Sequence, residues 1–335
     1  MNELATSEPP QGGAAESEPV IVARGLRREF GSEVALVELD LAIPPGLIFG
    51  FIGPSGSGKT TAVRLLAGID VPTAGSASVL GHRTAEFDGR LRSRIGYMPQ
   101  SSVQFPNLSV QTNMSFVASL YGLPLRRRET IAKVLKQTDL YDHRSKAVRN
   151  LSGGMKRRLA LSAALVHDPE VLFLDEPTAG IDPVLRRTLW DHFEHLRDQG
   201  RTLFITTQYV NEAMYCDRVG VLAGGRLIAE GPPGELRRQA LGGDVLELIT
   251  AADLDGTSVA RLCEVEGVSD VRRVSGRAHH LIVDAATRRL EDVRDCCVAN
   301  SVEIESLREV QPPFDDVFAT LMRQHDGSDD EAVAG

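Results

Sequence analysis

The chain has 335 residues, of which 25% are charged and 42% apolar, so it can bury a large core and hold two domains. Its formal net charge of −9 is concentrated at two acidic ends, in Glu3, Glu8, Glu16 and Glu18 at one and Asp326, Asp329, Asp330 and Glu331 at the other. The body between them is near neutral and gives no electrostatic case for or against nucleic acid, while no apolar run reaches the roughly 18 residues of a membrane span.

Residues 1–19 are acidic, rich in Pro, Gly, Ser and Ala, and lack the basic start and apolar middle of a signal peptide. A disordered tail on a cytosolic chain is expected. From Val20 to Gly231, short β-rich runs alternate with helical stretches. "LIFGFIG", "VLFLDEP" and "TLFITT" are continuously apolar, as in strands buried on both faces of a parallel sheet. "VIVARGLRREF" and "VALVELDLAI" alternate, which predicts a flanking antiparallel sheet, and Leu108 to Leu165 reads as mainly helical.

"GPSGSGKTT", Gly53 to Thr61, follows the first apolar run and opens a helix, which is the setting of a phosphate-binding P-loop. Gly53, Gly56 and Gly58 let backbone N–H groups turn inward, Lys59 reaches the β- and γ-phosphates, and Thr60 offers a hydroxyl to Mg²⁺. Pro54, Ser55, Ser57 and Thr61 complete the loop. "VLFLDEP" places Asp175 and Glu176 at the end of a buried strand, where ligands gather in open α/β sheets. Asp175 is assigned to the metal and Glu176 to orienting the attacking water. A second anion cradle lies in "LSGGMKRRL", where a serine and two glycines open a helix. The "KRR" after it reads as a solvated helix face.

After "AEGPPGEL" the order is strand, helix (257–265), strand, strand, helix (287–299), strand, with a last helix over 314–323 and an acidic, disordered tail over 326–335. That β-α-β-β-α-β order is ferredoxin-like. His279 and His280 read as surface residues of its third strand. The four cysteines, Cys216, Cys263, Cys296 and Cys297, have no metal-ligand spacing and read as reduced.

The P-loop, "LSGGM" and "LDEPTAGID" in this order resemble the ATP-binding cassette family over residues 20–231. "TTQYVNEA", "LSGGMKRRL" and "PPFDDVFATLM" are similar to the ATPases of daunorubicin-resistance-type exporters. The resemblance implies a P-loop NTPase core with an antiparallel β subdomain and a helical subdomain over 20–231, followed by a ferredoxin-like α+β domain over 232–325. It implies ATP and Mg²⁺ as cofactors and a homodimer in which Ser152, Gly153 and Gly154 close over the nucleotide held by the other subunit. It also implies a separate integral membrane permease of the ABC-2 type, a place on the cytoplasmic face of the membrane, and no nucleic-acid partner. By position, Phe30 falls where the family sets an aromatic against adenine, with core packing as the alternative. Gln100 matches the glutamine that touches Mg²⁺ and the attacking water, and Asp182 the aspartate that joins the two sites.

Two positions depart from the family. Met155 replaces a common glutamine, and Gln208 replaces the histidine that usually contacts the γ-phosphate. A neutral amide still donates a hydrogen bond but adds no charge. The competing expectation is therefore a cassette that binds ATP with little turnover. For the C-terminal unit, dimer support is expected over ligand sensing.

Overall fold

The computed structural model describes residues 18–101, 103–124 and 127–333, the last eight of these by backbone only. Most of the expected N-terminal tail, residues 1–17, lies outside the described residues. An antiparallel sheet opens the fold: β1 (Ile21–Phe30) pairs with β2 (Glu33–Leu36) and β3 (Leu41–Ile43). The chain then dives into β4 (Ile48–Ile52), with every residue buried, and leaves it through the P-loop into α1 (Lys59–Leu66). It returns to the antiparallel sheet as β5 (Ala74–Val79) and β6 (His82–Arg83), then forms α2 (Gly89–Arg92) and β7 (Ile95–Met98).

Next come the helices α3 (Val110–Leu120), α4 (Arg128–Gln137) and α5 (Gly153–Leu165). The remaining cassette elements are β8 (Val171–Asp175), α6 (Pro183–Asp198), β9 (Thr202–Thr207), β10 (Arg218–Ala223) and β11 (Arg226–Gly231). The central sheet has the order β11-β10-β4-β9-β8-β7 and is parallel except for its β11 edge.

Strand periodicity divides the cassette interior into two cores. Ile48, Ile52, Leu172, Leu174, Leu203 and Ile205 face the helices, where Trp190 and Phe193 of α6 fill the space. Phe49, Phe51, Phe173 and Phe204 face α1 and the antiparallel sheet, with the Phe204 ring 5.3 to 5.8 Å from the other three.

Beyond β11, α7 (Pro233–Leu241) leads into β12 (Asp244–Thr250), α8 (Gly256–Cys263), β13 (Val268–Ser275), β14 (Ala278–Val283), α9 (Ala286–Ala299), β15 (Ile304–Val310) and α10 (Phe314–Val333). The sheet order β13-β14-β12-β15 is antiparallel throughout, which is the ferredoxin-like arrangement. Three local readings change. The last helix, expected over 314–323, runs on to Val333 with no proline to stop it. Its Phe314, Val317 and Leu321, spaced for one helix face, join Leu236 and Ala240 of α7 in the core of the cassette and not in that of the ferredoxin-like unit. His279 is 3% exposed, because alternation along β14 puts it on the face of Leu281 and Val283.

Candidate functional site

The loop between β4 and α1 is shaped by steric exclusion. Gly58 has φ of 104°, and a Cβ there would overlap the Ala35 carbonyl; one on Gly53 would overlap that of Leu222. Gly56 also lies at positive φ, and Ser57 is buried with its N–H on the Pro54 carbonyl at 3.2 Å. No side chain caps the start of α1, so its free N–H groups and positive dipole end face the loop. Lys59 is 4% exposed, and its Nζ donates to the Gly53 and Pro54 carbonyls at 2.8 Å each. Burial pushes its pKa below the ordinary lysine value, against the opposing pull of Glu176 and Asp175.

Asp175 ends β8 beside β9. Its Oδ1 accepts from Thr206 Oγ1 at 2.7 Å and from Thr60 Oγ1 at 3.2 Å. Its Oδ2 is buried and has no hydrogen-bond partner among the described residues. An unshared carboxylate oxygen next to a threonine hydroxyl fits Mg²⁺, which takes one or two protein oxygens and fills its shell with water and phosphate oxygens.

Glu176 follows in the left-handed region with φ of 47°, a conformation that costs a non-glycine residue roughly 1–3 kcal/mol and must be held by its surroundings. Thr206 holds it, for its carbonyl and its Oγ1 accept from the Glu176 N–H at 3.1 and 2.9 Å. The sharp turn frees the carboxylate to meet Gln100, whose Nε2 donates to Glu176 Oε2 at 2.8 Å. Gln208 follows β9, and its Oε1 accepts from the Ser55 hydroxyl at 3.3 Å.

Phe30, Ser55, Gly56, Gly58, Lys59, Thr60, Thr61, Gln100 and Glu176 line a single cleft of about 710 Å³. Phe30 is 48% exposed at its mouth, so it is not a core residue, and the Arg28 guanidinium lies 4.5 Å from its ring centre. Ser152, Gly153, Gly154 and Asp182 do not line this cleft. Ser152 caps α5 by accepting from the Met155 N–H at 3.3 Å, and Asp182 caps α6 by accepting from the Leu185 N–H at 3.0 Å. A Cβ on Gly154 would overlap the Leu185 side chain, so the two helix starts lie against each other.

Two participants escaped the sequence reading. Thr206, fully buried, bonds both acidic residues, and the signal was a threonine pair ending a strand whose middle, Leu203 to Ile205, is apolar. Arg157, in the basic run expected to be a solvated face, is half-buried and donates to the Gln100 carbonyl at 2.5 Å.

Comparison with known proteins bears on the family and the fold. Residues 36–179 match the family described as ABC transporter, ABC_tran. The daunorubicin resistance ATP-binding protein DrrA3 of Streptomyces coeruleorubidus is 37% identical over 312 residues, which cover 91% of this chain and 96% of that one. The probable multidrug ABC transporter ATP-binding protein YbhF of Escherichia coli K12 is 40% identical over 242 residues, 70% of this chain, but the chain spans only 42% of its length. A dimeric post-hydrolysis structure of the ATP-binding cassette MJ0796 with ADP and Pi superposes with a TM-score of 0.59 at 25% identity, over 63% of this chain and 98% of that one. With a relative matched along nearly its whole length and a site built around a P-loop, the chain belongs to the ATP-binding cassette (ABC) transporter family.

Proposed function

We propose that this chain is the ATP-hydrolysing subunit of an exporter, driving a separate membrane permease through nucleotide-dependent dimerisation. The observation that carries the reading is the convergence of Asp175 and Glu176 with Thr60, Gln100 and Lys59 at one end of the parallel sheet. Lys59 would neutralise phosphate charge, and Thr60, Asp175 and Gln100 would hold Mg²⁺. The ion, when bound, would offset charge building up on the phosphate oxygens. Glu176, set at the end of its turn and steadied by Gln100, would accept a hydrogen bond from water and align it for attack. Gln208, anchored by Ser55, would donate its amide N–H to the γ-phosphate. Phe30 would stack on the adenine ring.

Ser152, Gly153 and Gly154 would serve a second copy of the chain, because they do not line their own P-loop cleft, and Asp182 caps the helix that lies against Gly154. The dimer reported for MJ0796 supports that assembly. No described helix is long and apolar enough to cross a membrane. In this reading the permease is a distinct chain of the ABC-2 type, with the ATPase on its cytoplasmic face, and the likeness to daunorubicin resistance ATP-binding proteins supports it. Phe105 and Leu108, 46% and 39% exposed just after Gln100, offer apolar contacts to it, and Phe105 is braced edge-on by Phe116 at 5.1 Å. Residues 20–231 would be the ATPase domain and 232–325 a C-terminal unit. The alternative of ATP binding with little turnover is disfavoured by Asp175 and Glu176 both standing at the site, beside Thr60 and Gln100.

The deciding experiment is Glu176→Gln in the full chain. Nucleotide binding should persist while Mg²⁺-dependent phosphate release falls by about 100-fold or more, as for loss of a positioned general base. Unchanged phosphate release would remove Glu176 from the mechanism.

A further inference from the structure

Arg157 lies five residues after Ser152 in the uninterrupted helix α5. Its Nη1 donates to the backbone carbonyl of Gln100 at 2.5 Å, and Gln100 in turn donates its side-chain amide to Glu176 Oε2 at 2.8 Å. Two hydrogen bonds thus join three segments distant in sequence: α5, the turn after β7, and the end of β8. The guanidinium also feels both acidic residues. Burial lowers its proton affinity and is the larger effect, while Glu176 and Asp175 oppose it. The neighbouring Arg158, half-buried as well, turns instead to Asp139 at 3.6 Å, so Arg157 is the arginine of the run that reaches the Gln100 turn.

We propose that Arg157 is a positioning residue that fixes the Gln100 backbone so that the Gln100 amide stays on Glu176. It thereby ties the Ser152 end of α5 to the water-activating carboxylate of the same chain. The proposal rests on the hydrolytic reading above and extends it to communication between sites. Five residues are about one and a half helical turns, so a shift of the Ser152 end on meeting a partner's nucleotide moves Arg157 with it. Gln100 cannot then reorient independently of α5. Lysine substitutes only in part, because a single ammonium lacks the planar, multi-donor geometry of guanidinium.

The test is a double-mutant cycle on the full chain with Arg157→Ala, Gln100→Ala and their combination, plus Arg157→Lys, read as kcat and KM for phosphate release. Nucleotide binding and thermal melting of each variant establish that it is folded. Arg157→Ala should lower kcat about 10-fold and leave KM within about two-fold, the pattern of a lost transition-state interaction. Arg157→Lys should recover part of kcat. In the Gln100→Ala background the same Arg157→Ala change should cost less than about two-fold, since the link is already cut. Losses that multiply in the double variant overturn the proposal, as does wild-type kcat in Arg157→Ala. A wild-type chain with no turnover overturns the hydrolytic reading and this one with it, whereas turnover with multiplicative losses overturns this one alone. Should Arg157→Ala fail to fold, the cycle is run with Arg157→Lys, where the partial loss must likewise vanish in the Gln100→Ala background.

Discussion

Gln208 shows how much one side chain can carry. Its amide oxygen is taken by the Ser55 hydroxyl, which orients the amide so that the N–H donors form its other side. As a neutral donor to a charged phosphate, the role proposed for it, it would be worth roughly 1.5–3 kcal/mol. If that contribution is felt in the transition state, Gln208→Ala should slow hydrolysis about 10- to 150-fold and leave thermal stability intact. Gln208→His should retain most activity but bring a pH dependence near about 6.5, the ordinary histidine value. Steady-state phosphate release against pH for the three proteins, with the permease present, checks both outcomes. Wild-type rates in Gln208→Ala would mean that the Ser55 contact is only structural.

Among the elements, the junction of β14 with α9 is held by charge. Arg289 is only 14% exposed; its Nε and Nη2 grip both oxygens of Asp284 at 2.8 Å, and its Nη1 reaches Asp292 at 3.0 Å. This bidentate pairing with Arg289 holds the Asp284 carboxyl at about 2, below its ordinary value. A folded-state pKa below the unfolded one stabilises fully above the unfolded value, near 3.9, and loses that contribution as pH falls through the folded value. The window therefore runs from about pH 4 down to about pH 2. Asp284→Asn should be less stable than wild type at neutral pH, and the gap should close across that window. Urea midpoints measured between neutral and acid pH test this. A gap that stays constant with pH would mean that Arg289 holds the junction by packing alone.

At the scale of the whole molecule the division of labour is spatial. One cleft gathers the P-loop, Gln100 and Glu176, while Ser152 and Asp182 cap helices elsewhere on the surface. If the sites are shared between copies, Ser152→Arg and Lys59→Ala chains should each be nearly inactive, and mixing them should restore part of the activity. Each mixed dimer then holds one site with both halves sound. Phosphate release from mixtures, with mixed dimers verified by differently tagged chains, is the measurement. No recovery in verified mixed dimers would argue against shared sites.

Local chemistry was enough to read the P-loop, the acidic pair and the buried strands, because each needs only neighbours in sequence: glycines at a strand–helix turn, carboxylates at a strand end, unbroken apolar runs. The family resemblance pointed to Phe30 and Gln100, and the structure gives Phe30 its exposure and Gln100 its bond to Glu176. What needed the fold were contacts between distant segments. Arg157 looks like any basic residue until α5 is laid against the Gln100 turn. Thr206 shows its purpose only when β9 runs beside β8. His279 becomes a core residue once α8 and α9 cover its face of the sheet, and the apolar stripe of α10 finds its partner in the cassette, against α7 and the turn at 210–215. Sequence pattern determined which faces had to be buried, because side-chain period and polarity are local properties. Which surfaces buried them, and which hydrogen bonds then closed around Glu176, was decided by tertiary packing, because those partners are set by three-dimensional approach and not by spacing along the chain.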